Sequence, residues 1–273
     1  MNAFVRRWAE ALLRPLVLRR RMPASAGRGW LVVSAKVGGL KYLLKPAERW
    51  DPELVRIASR LVSEGDIVWD VGANVGLFSK AASERAGPRG HVVALEADDD
   101  AATLLLRTAQ LASSRCAPMT VVPTAVGRRC GFASFAIARR ARASNALEGY
   151  GSTQTGGTRE VRRVASTSLD ALIDRFGAPD VVKIDVEGAE MEVLEGASRL
   201  LVEVRPAIYC EVCSATRSAV SRLLHAHSYA MWDGADFDQA EGLGIALAAG
   251  NTVAIPLEKR ARYCTRAGEG SPA

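Results

Sequence analysis

Asp66-Ile67-Val68-Trp69-Asp70-Val71-Gly72-Ala73-Asn74-Val75-Gly76-Leu77-Phe78-Ser79 is the stretch that decides the fold. An apolar run ends in a carboxylate, and a glycine-bounded turn then opens into a helical pattern. This spacing predicts a strand, a tight loop and a helix N-terminus, the arrangement with which open α/β sheets hold ligands at the carboxyl ends of their strands. Gly72 and Gly76 permit unusual backbone angles and the close approach of a ligand.

The chain alternates outward from this point. Strands are expected over 67–71, 92–95, 120–123, 181–184 and 207–212, with two more over 229–232 and 251–255. Helices are expected over 52–63, 77–85, 99–112, 168–176, 190–201 and 216–226. Strands alternating with helices argue for an α/β fold, a mostly parallel sheet with both faces covered. Residues 131–166 break the rhythm and read as an insertion with the character of a lid. Two β segments, 132–138 and 160–165, flank Ser144–Thr158, a Gly/Ser/Thr-rich stretch that reads as a mobile loop. Before the first central strand, 30–33 and 40–44 flank Gly38-Gly39 and read as a hairpin. The expected organisation is a basic N-terminal helix and linker over 1–29, one domain over 30–258, and a polar tail over 259–273.

Composition narrows the function. The chain has 273 residues, 48% apolar and 24% charged, enough to bury a full core. Its net charge of +6 is uneven: residues 1–49 carry 11 Lys/Arg against 2 acids, the remainder 25 against 28. A nucleic-acid enzyme spreads basic residues around its active-site groove, so no nucleic-acid partner is expected. Residues 3–14 form an amphipathic pattern, with Phe4, Val5, Trp8, Ala11 and Leu12 on one face and Arg6, Arg7, Glu10 and Arg14 on the other. Such a helix suits peripheral contact with an anionic membrane surface; packing on the domain or a partner chain, as in a homo-oligomer, is the simpler reading. The N-terminus lacks the order of a secretory signal, and no apolar run is long enough to span a bilayer. Five cysteines at irregular spacing suit a reducing, cytoplasmic setting. Cys210 and Cys213 sit at an odd separation along a strand, so they point to opposite faces as free thiols.

Three carboxylates end strands: Asp70, Glu96 and Asp185. Glu96 lies 24 positions after Gly72, where an acid can accept hydrogen bonds from adjacent ribose hydroxyls. The Gly-x-Gly-x-x-Gly spacing that seats a pyrophosphate is absent, and a carboxylate directly before the glycines is a poor neighbour for a diphosphate. It is a good neighbour for a ligand bearing an ammonium and a sulfonium. S-adenosylmethionine fits, with its ribose on Glu96 and its amino-acid moiety near Asp70 and the Gly72, Ala73, Asn74, Gly76 loop.

Together, Asp70-Val-Gly-Ala-Asn-Val-Gly76, Leu95-Glu-Ala97, Ala125-Val-Gly127, Ser168-Leu-Asp170 and Lys183-Ile-Asp-Val-Glu-Gly-Ala-Glu190 resemble the FkbM family of S-adenosylmethionine-dependent methyltransferases. The resemblance covers roughly residues 50–257. It implies the Rossmann-like class I methyltransferase fold, a three-layer sandwich whose seven-stranded sheet has its last strand antiparallel. It also implies cofactor contacts at Ala97, Ala125, Val126 and Asp185, and O-methylation of sugars, glycolipids or natural products. Many relatives carry a His shortly after the acid at the end of strand five, here Glu211; this chain has Cys213 instead. Ser144-Asn145 resembles a family position near the pocket.

A hydroxyl attacks a sulfonium methyl poorly until its proton is removed, so a general base is expected. Asp185 and Glu187, at the fourth central strand's end, lead the candidates, with Glu211 one strand over. Glu187 and Glu190 also suit capping of the following helix. Lys183 faces either the core or the helix layer. No His joins these acids at ligand spacing, so no metal ligand is assigned. His91, His225 and His227 read as structural or surface residues. Arg128, Arg129, Arg139, Arg140 and Arg142 cluster around the insertion and suit either an acidic acceptor or a solvated face. Two other functions compete: a nicotinamide-dependent oxidoreductase of similar topology, and a non-catalytic cofactor-binding scaffold.

Overall fold

The computed structural model describes residues 13, 15–27, 29–37, 41–111, 113–138, 145–150, 157–239 and 244–264. Its centre is a seven-stranded sheet made of β3 (Ile67–Val71), β4 (His91–Glu96), β5 (Met119–Pro123), β10 (Val181–Ile184), β11 (Ala207–Glu211), β12 (Tyr229–Asp233) and β13 (Asn251–Pro256). Their spatial order is β12-β13-β11-β10-β3-β4-β5. All neighbours are parallel except β13, which lies antiparallel between β11 and β12. This is the expected sheet, last strand included.

The apolar strands have two buried faces because side chains alternate. Val68, Val92, Val181 and Ala207 enter one core with α1 (Pro52–Leu61), α2 (Leu77–Ala86) and α3 (Asp99–Ala109). Trp69, Val71, Val93, Leu95, Val182, Ile184 and Ile208 enter a second core with α4 (Leu169–Phe176), α5 (Glu190–Glu195) and α6 (Arg217–Ala226). Three layers result. Strands follow β3 outward in one direction and β10 in the other, so the strand order reverses between these two, and the crevice opens at their carboxyl ends.

Several local readings need correction. The N-terminal hairpin pairs β1 (Val17–Arg21) with β2 (Trp30–Ser34), so part of the presumed linker is sheet, while Lys41–Leu44 is a helical turn. The ribbon is seated on α3, whose Thr108 Oγ1 accepts from the Val32 amide at 3.0 Å. The insertion builds a second sheet of order β6-β9-β7-β8, from β6 (Ala125–Val126), β7 (Gly131–Ala138), β8 (Ala146–Leu147) and β9 (Thr158–Thr167). The 190–201 helix ends early: Gly196 caps α5, and a π-helical turn over Leu200–Val204 follows. The tail is not wholly free, since α7 (Arg260–Cys264) buries Tyr263 and its Arg262 donates to Asp66 Oδ1 at 2.6 Å. Residues 1–12, including most of the amphipathic pattern, lie outside the described residues, as do 151–156 of the glycine-rich loop.

Asp170 holds that second helical segment in place. Its carboxylate accepts from the Arg199 amide at 2.9 Å and the Leu200 amide at 2.8 Å. Asp170→Ala strands both donors and is expected to cost about 1–2 kcal/mol. A urea titration should show the midpoint fall with an unchanged slope.

Candidate active site

The glycines of the opening motif are demanded by the protein itself. Gly72 has φ +74°, and a Cβ there would lie 1.8 Å from the Asp185 carbonyl oxygen. Gly76 has φ +89°, and a Cβ there would lie 2.5 Å from Leu105 Cδ1. The positive φ was legible; what crowds both positions is the neighbouring strand end and α3, rather than a ligand.

Beneath this loop, β3 and β10 pair with Lys183 opposite Asp70. Lys183 is 2% exposed and Asp70 is fully buried. The ammonium sits 3.1 Å from Asp70 Oδ1, 3.4 Å from Asp185 Oδ2 and 3.1 Å from the Gly72 carbonyl oxygen. Burial works against its charge, but Asp70 and Asp185 outweigh that penalty and its pKa rises. Ser79 Oγ donates to the other Asp70 oxygen. Asp70, near which the cofactor's amino-acid moiety was expected, therefore lies below the crevice, outside the lining of both cavities, with Lys183 paired to it. A lysine inside the apolar run Val181-Val182-Lys183-Ile184 was the available signal, because a buried ammonium requires a carboxylate.

Two cavities share the crevice. The smaller, about 70 Å³, is lined by Gly72, Asn74, Glu96, Ala97, Thr124, Ala125, Val126, Asp185 and Glu187, with Phe135, Asn145 and Leu147 from the inserted sheet. Every expected cofactor residue except Asp70, Ala73 and Gly76 lines it. Ala73 lines the larger cavity, and Gly76 starts α2. Glu96 Oε2 accepts from the Asn74 amide and Oε1 from the Asp98 amide, both at 2.7 Å. Burial pushes its pKa up to about 7. Asn74, at φ +53°, leaves its buried Oδ1 without a hydrogen-bond donor among the described residues. The relay continues outward. Asp98 caps α3, Asn145 Nδ2 donates to Asp98 Oδ2, and the Ala138 amide donates to Asn145 Oδ1 at 2.8 Å. Asn145 is thus fixed at the pocket by hydrogen bonds, which sequence pattern alone could not reveal.

The larger cavity, about 570 Å³, continues past Gly72, Asn74, Asp185 and Glu187 to Glu211, Tyr209, Asn251, Glu53, Asp51, Lys41 and Tyr42. Asp185, Glu187 and Glu211 therefore converge as expected, with Glu187 and Asp185 at the junction of the two spaces. Loss of water pushes Glu187 up to about 7, helped by the charges of Asp185, Glu211 and Glu190. Desolvation and Asp185 push Glu211 up to about 7 as well. Glu190 is buried instead and accepts from the Gly188 amide at 2.6 Å and Thr216 Oγ1 at 3.0 Å, so it holds the turn. The wall carrying Tyr42 was not foreseen. Arg20, from the basic triplet, reaches inward to donate to the carbonyls of Tyr42, Leu43 and Lys45, and stacks over Trp50.

The remaining expectations divide. Arg128 pairs with Glu192 and Glu195 on α5, while Arg139, Arg140, Arg142 and Ser144 lie outside the described residues. His91 bonds Thr120 Oγ1 at 2.8 Å and His225 bonds the Ala246 carbonyl at 3.0 Å, both away from the crevice. Cys210 is buried and Cys213 exposed, both free thiols. Among the described residues no helix is long and apolar enough to cross a membrane.

A family model, the methyltransferase FkbM domain, matches residues 70–234. The chain is 29% identical over 158 residues to the hexuronic acid methyltransferase AglP of Haloferax volcanii, covering 57% of this chain and 60% of that protein. Among solved structures it is similar to methyltransferase FkbM from Methylobacillus flagellatus KT, with TM-score 0.42, 18% identity, and 61% and 39% of the two chains covered. It is also similar to the precorrin-6y C5,15-methyltransferase of Geobacter metallireducens GS-15, with TM-score 0.42, 19% identity, and 70% and 76% covered. The family match favours methyl transfer over the nicotinamide-dependent alternative.

Two measurements test the electrostatics. Lys183→Met leaves Asp70 as an unanswered buried charge and is expected to cost about 3–5 kcal/mol, largely restored by adding Asp70→Asn; denaturant unfolding of the three proteins checks this. Glu187 and Glu211 have folded pKa values above 4.5, so the native state holds more protons than the unfolded state between pH 4.5 and about 7. Their contribution to stability is therefore lost as pH rises through that window. Glu187→Gln should unfold at higher urea than the parent at pH 8, by about 1–2 kcal/mol after allowing for solvent screening, and alike at pH 4.

Proposed function

The chain belongs to the FkbM methyltransferase family, and from that premise we propose that it uses S-adenosylmethionine to methylate a hydroxyl group on a sugar, glycolipid or small natural product. The observation that carries the reading is continuity: a cavity of hydrogen-bond acceptors shares Asp185 and Glu187 with a larger one in which Glu211 joins them. The sugar class is supported by the Haloferax volcanii relative's name, although this chain spans only 60% of that protein's length.

The residues of the smaller cavity suit this cofactor. Each Glu96 oxygen is engaged by a single backbone amide, which leaves acceptor capacity for two ribose hydroxyls. The orphaned Asn74 Oδ1 and the partly exposed Asp185 supply acceptors for an ammonium at the junction. Ala97, Ala125 and Val126 offer small apolar walls. When bound there, S-adenosylmethionine supplies a methyl group on a cationic sulfur.

The chain's own contribution is position and proton removal. Tyr42, Tyr209 and Asn251 bound the space in which an acceptor is held against the junction. Glu187 faces both cavities and takes the acceptor hydroxyl's proton as general base. Lys183, 3.4 Å from Asp185 Oδ2, orients that carboxylate beside it. A carboxylate acceptor needs no base, so three acids at this point favour a hydroxyl.

Calorimetry should detect binding of S-adenosylmethionine and its demethylated product; a folded protein that binds neither overturns the proposal. Glu96→Ala is expected to weaken that binding about 10- to 100-fold, the worth of hydrogen bonds to a charged group. With a responsive acceptor, kcat/KM should rise with pH through about 7, where Glu187 loses its proton, and Glu187→Gln should abolish that rise.

A further inference from the structure

The charge balance of the larger cavity points to the kind of acceptor it takes, and this rests on the reading that the acceptor docks there. Asp51, Glu53, Asp185, Glu187 and Glu211 face that space. Lys41 and Lys183 are the cations in its described lining. Both are already engaged: Lys41 pairs with Asp51, and Lys183 is enclosed by Asp70, Asp185 and the Gly72 carbonyl. Glu53, Glu187 and Glu211 have no ion-pair partner among the described residues. Arg128, from the arginine cluster, lines neither cavity and pairs with Glu192 and Glu195.

Above about pH 7, where Glu187 and Glu211 are ionised, an acidic sugar entering this space would set its carboxylate against three without an ion-pair partner and, among the described residues that line the space, meet no guanidinium. At the effective dielectric of a protein cleft, like charges several ångströms apart repel strongly enough to decide specificity. Tyr42 and Tyr209, both buried in the wall, give the apolar faces of a sugar ring a surface to rest on. We propose that the acceptor ring is an uncharged sugar and that the cavity rejects hexuronates, in contrast to the substrate class named for the Haloferax volcanii relative.

Three probes of one shape test this: octyl glucoside, octyl glucuronide, and the methyl ester of octyl glucuronide, which restores neutrality without changing the ring. Binding is read at about pH 8, where Glu187 and Glu211 are ionised, by ligand-observed nuclear magnetic resonance with the full chain saturated in S-adenosylhomocysteine, and transfer is read with radiolabelled S-adenosylmethionine. The glucoside and the ester are expected to bind at least about tenfold more tightly than the glucuronide. The gap should narrow in about 0.5 M salt, which screens charge, and should narrow again in Glu53→Gln. Equal or tighter binding of the glucuronide overturns the inference while leaving methyl transfer intact. Binding of S-adenosylhomocysteine with none of the sugars overturns the assignment of the cavity to a sugar. A protein that binds neither cofactor form overturns the proposed function itself.

Discussion

The site depends on one buried ammonium. Lys183 joins the ends of the two central strands at the point where the sheet's order reverses, touching a carboxylate on each strand and a carbonyl of the glycine loop. Its value lies less in net stability, since buried ion pairs roughly offset their own desolvation, than in geometry. A single cation with three oxygen partners fixes the height of the loop over β3, the aim of Asp185, and the gap through which the two cavities communicate. Gly72 completes the constraint, because only a residue without a side chain lets the loop pass the Asp185 carbonyl.

Around that tie the crevice is walled by parts that the α/β core does not supply. The inserted sheet roofs the smaller cavity through Phe135, Asn145 and Leu147, and is pinned to the core by the relay from Glu96 through Asp98 to Asn145. The turn at Lys41–Leu44 walls the larger one, held from behind by Arg20 of the N-terminal ribbon. The chemistry faces outward from strands shared with many enzymes, whereas the shape of the space belongs to these additions.

The sheet was legible because its strands are apolar, short and separated by helices of clear period; Val68 and Trp69 alone reveal burial on both faces. The acids Glu96, Asp185, Glu187 and Glu211 were legible for the same reason, as charges ending such strands. The pairing of Asp70 was not legible, because a sequence gives its position but not the lysine opposite it, which comes from a register between strands more than a hundred residues apart. Asn145 was placed near the pocket by the family resemblance alone, and the long-range hydrogen bonds that fix it, like the packing that brings in Tyr42, are encoded in no local pattern. The hairpin at 30–44 was misplaced because Gly38-Gly39 marks a turn without identifying its partners, and β2 pairs backward with β1.

That ribbon carries a consequence of its own. Successive residues of β1 point to opposite sides, so Arg20 turns inward to grip the carbonyls behind Tyr42 while Arg19 and Arg21 turn out. A slip of one residue in the pairing of β1 with β2 would exchange these roles and release the cavity wall. Insertions or deletions within β1 are therefore tolerated only in steps that preserve its parity, and the ribbon works as a vernier that sets the width of a site to which it contributes no chemistry.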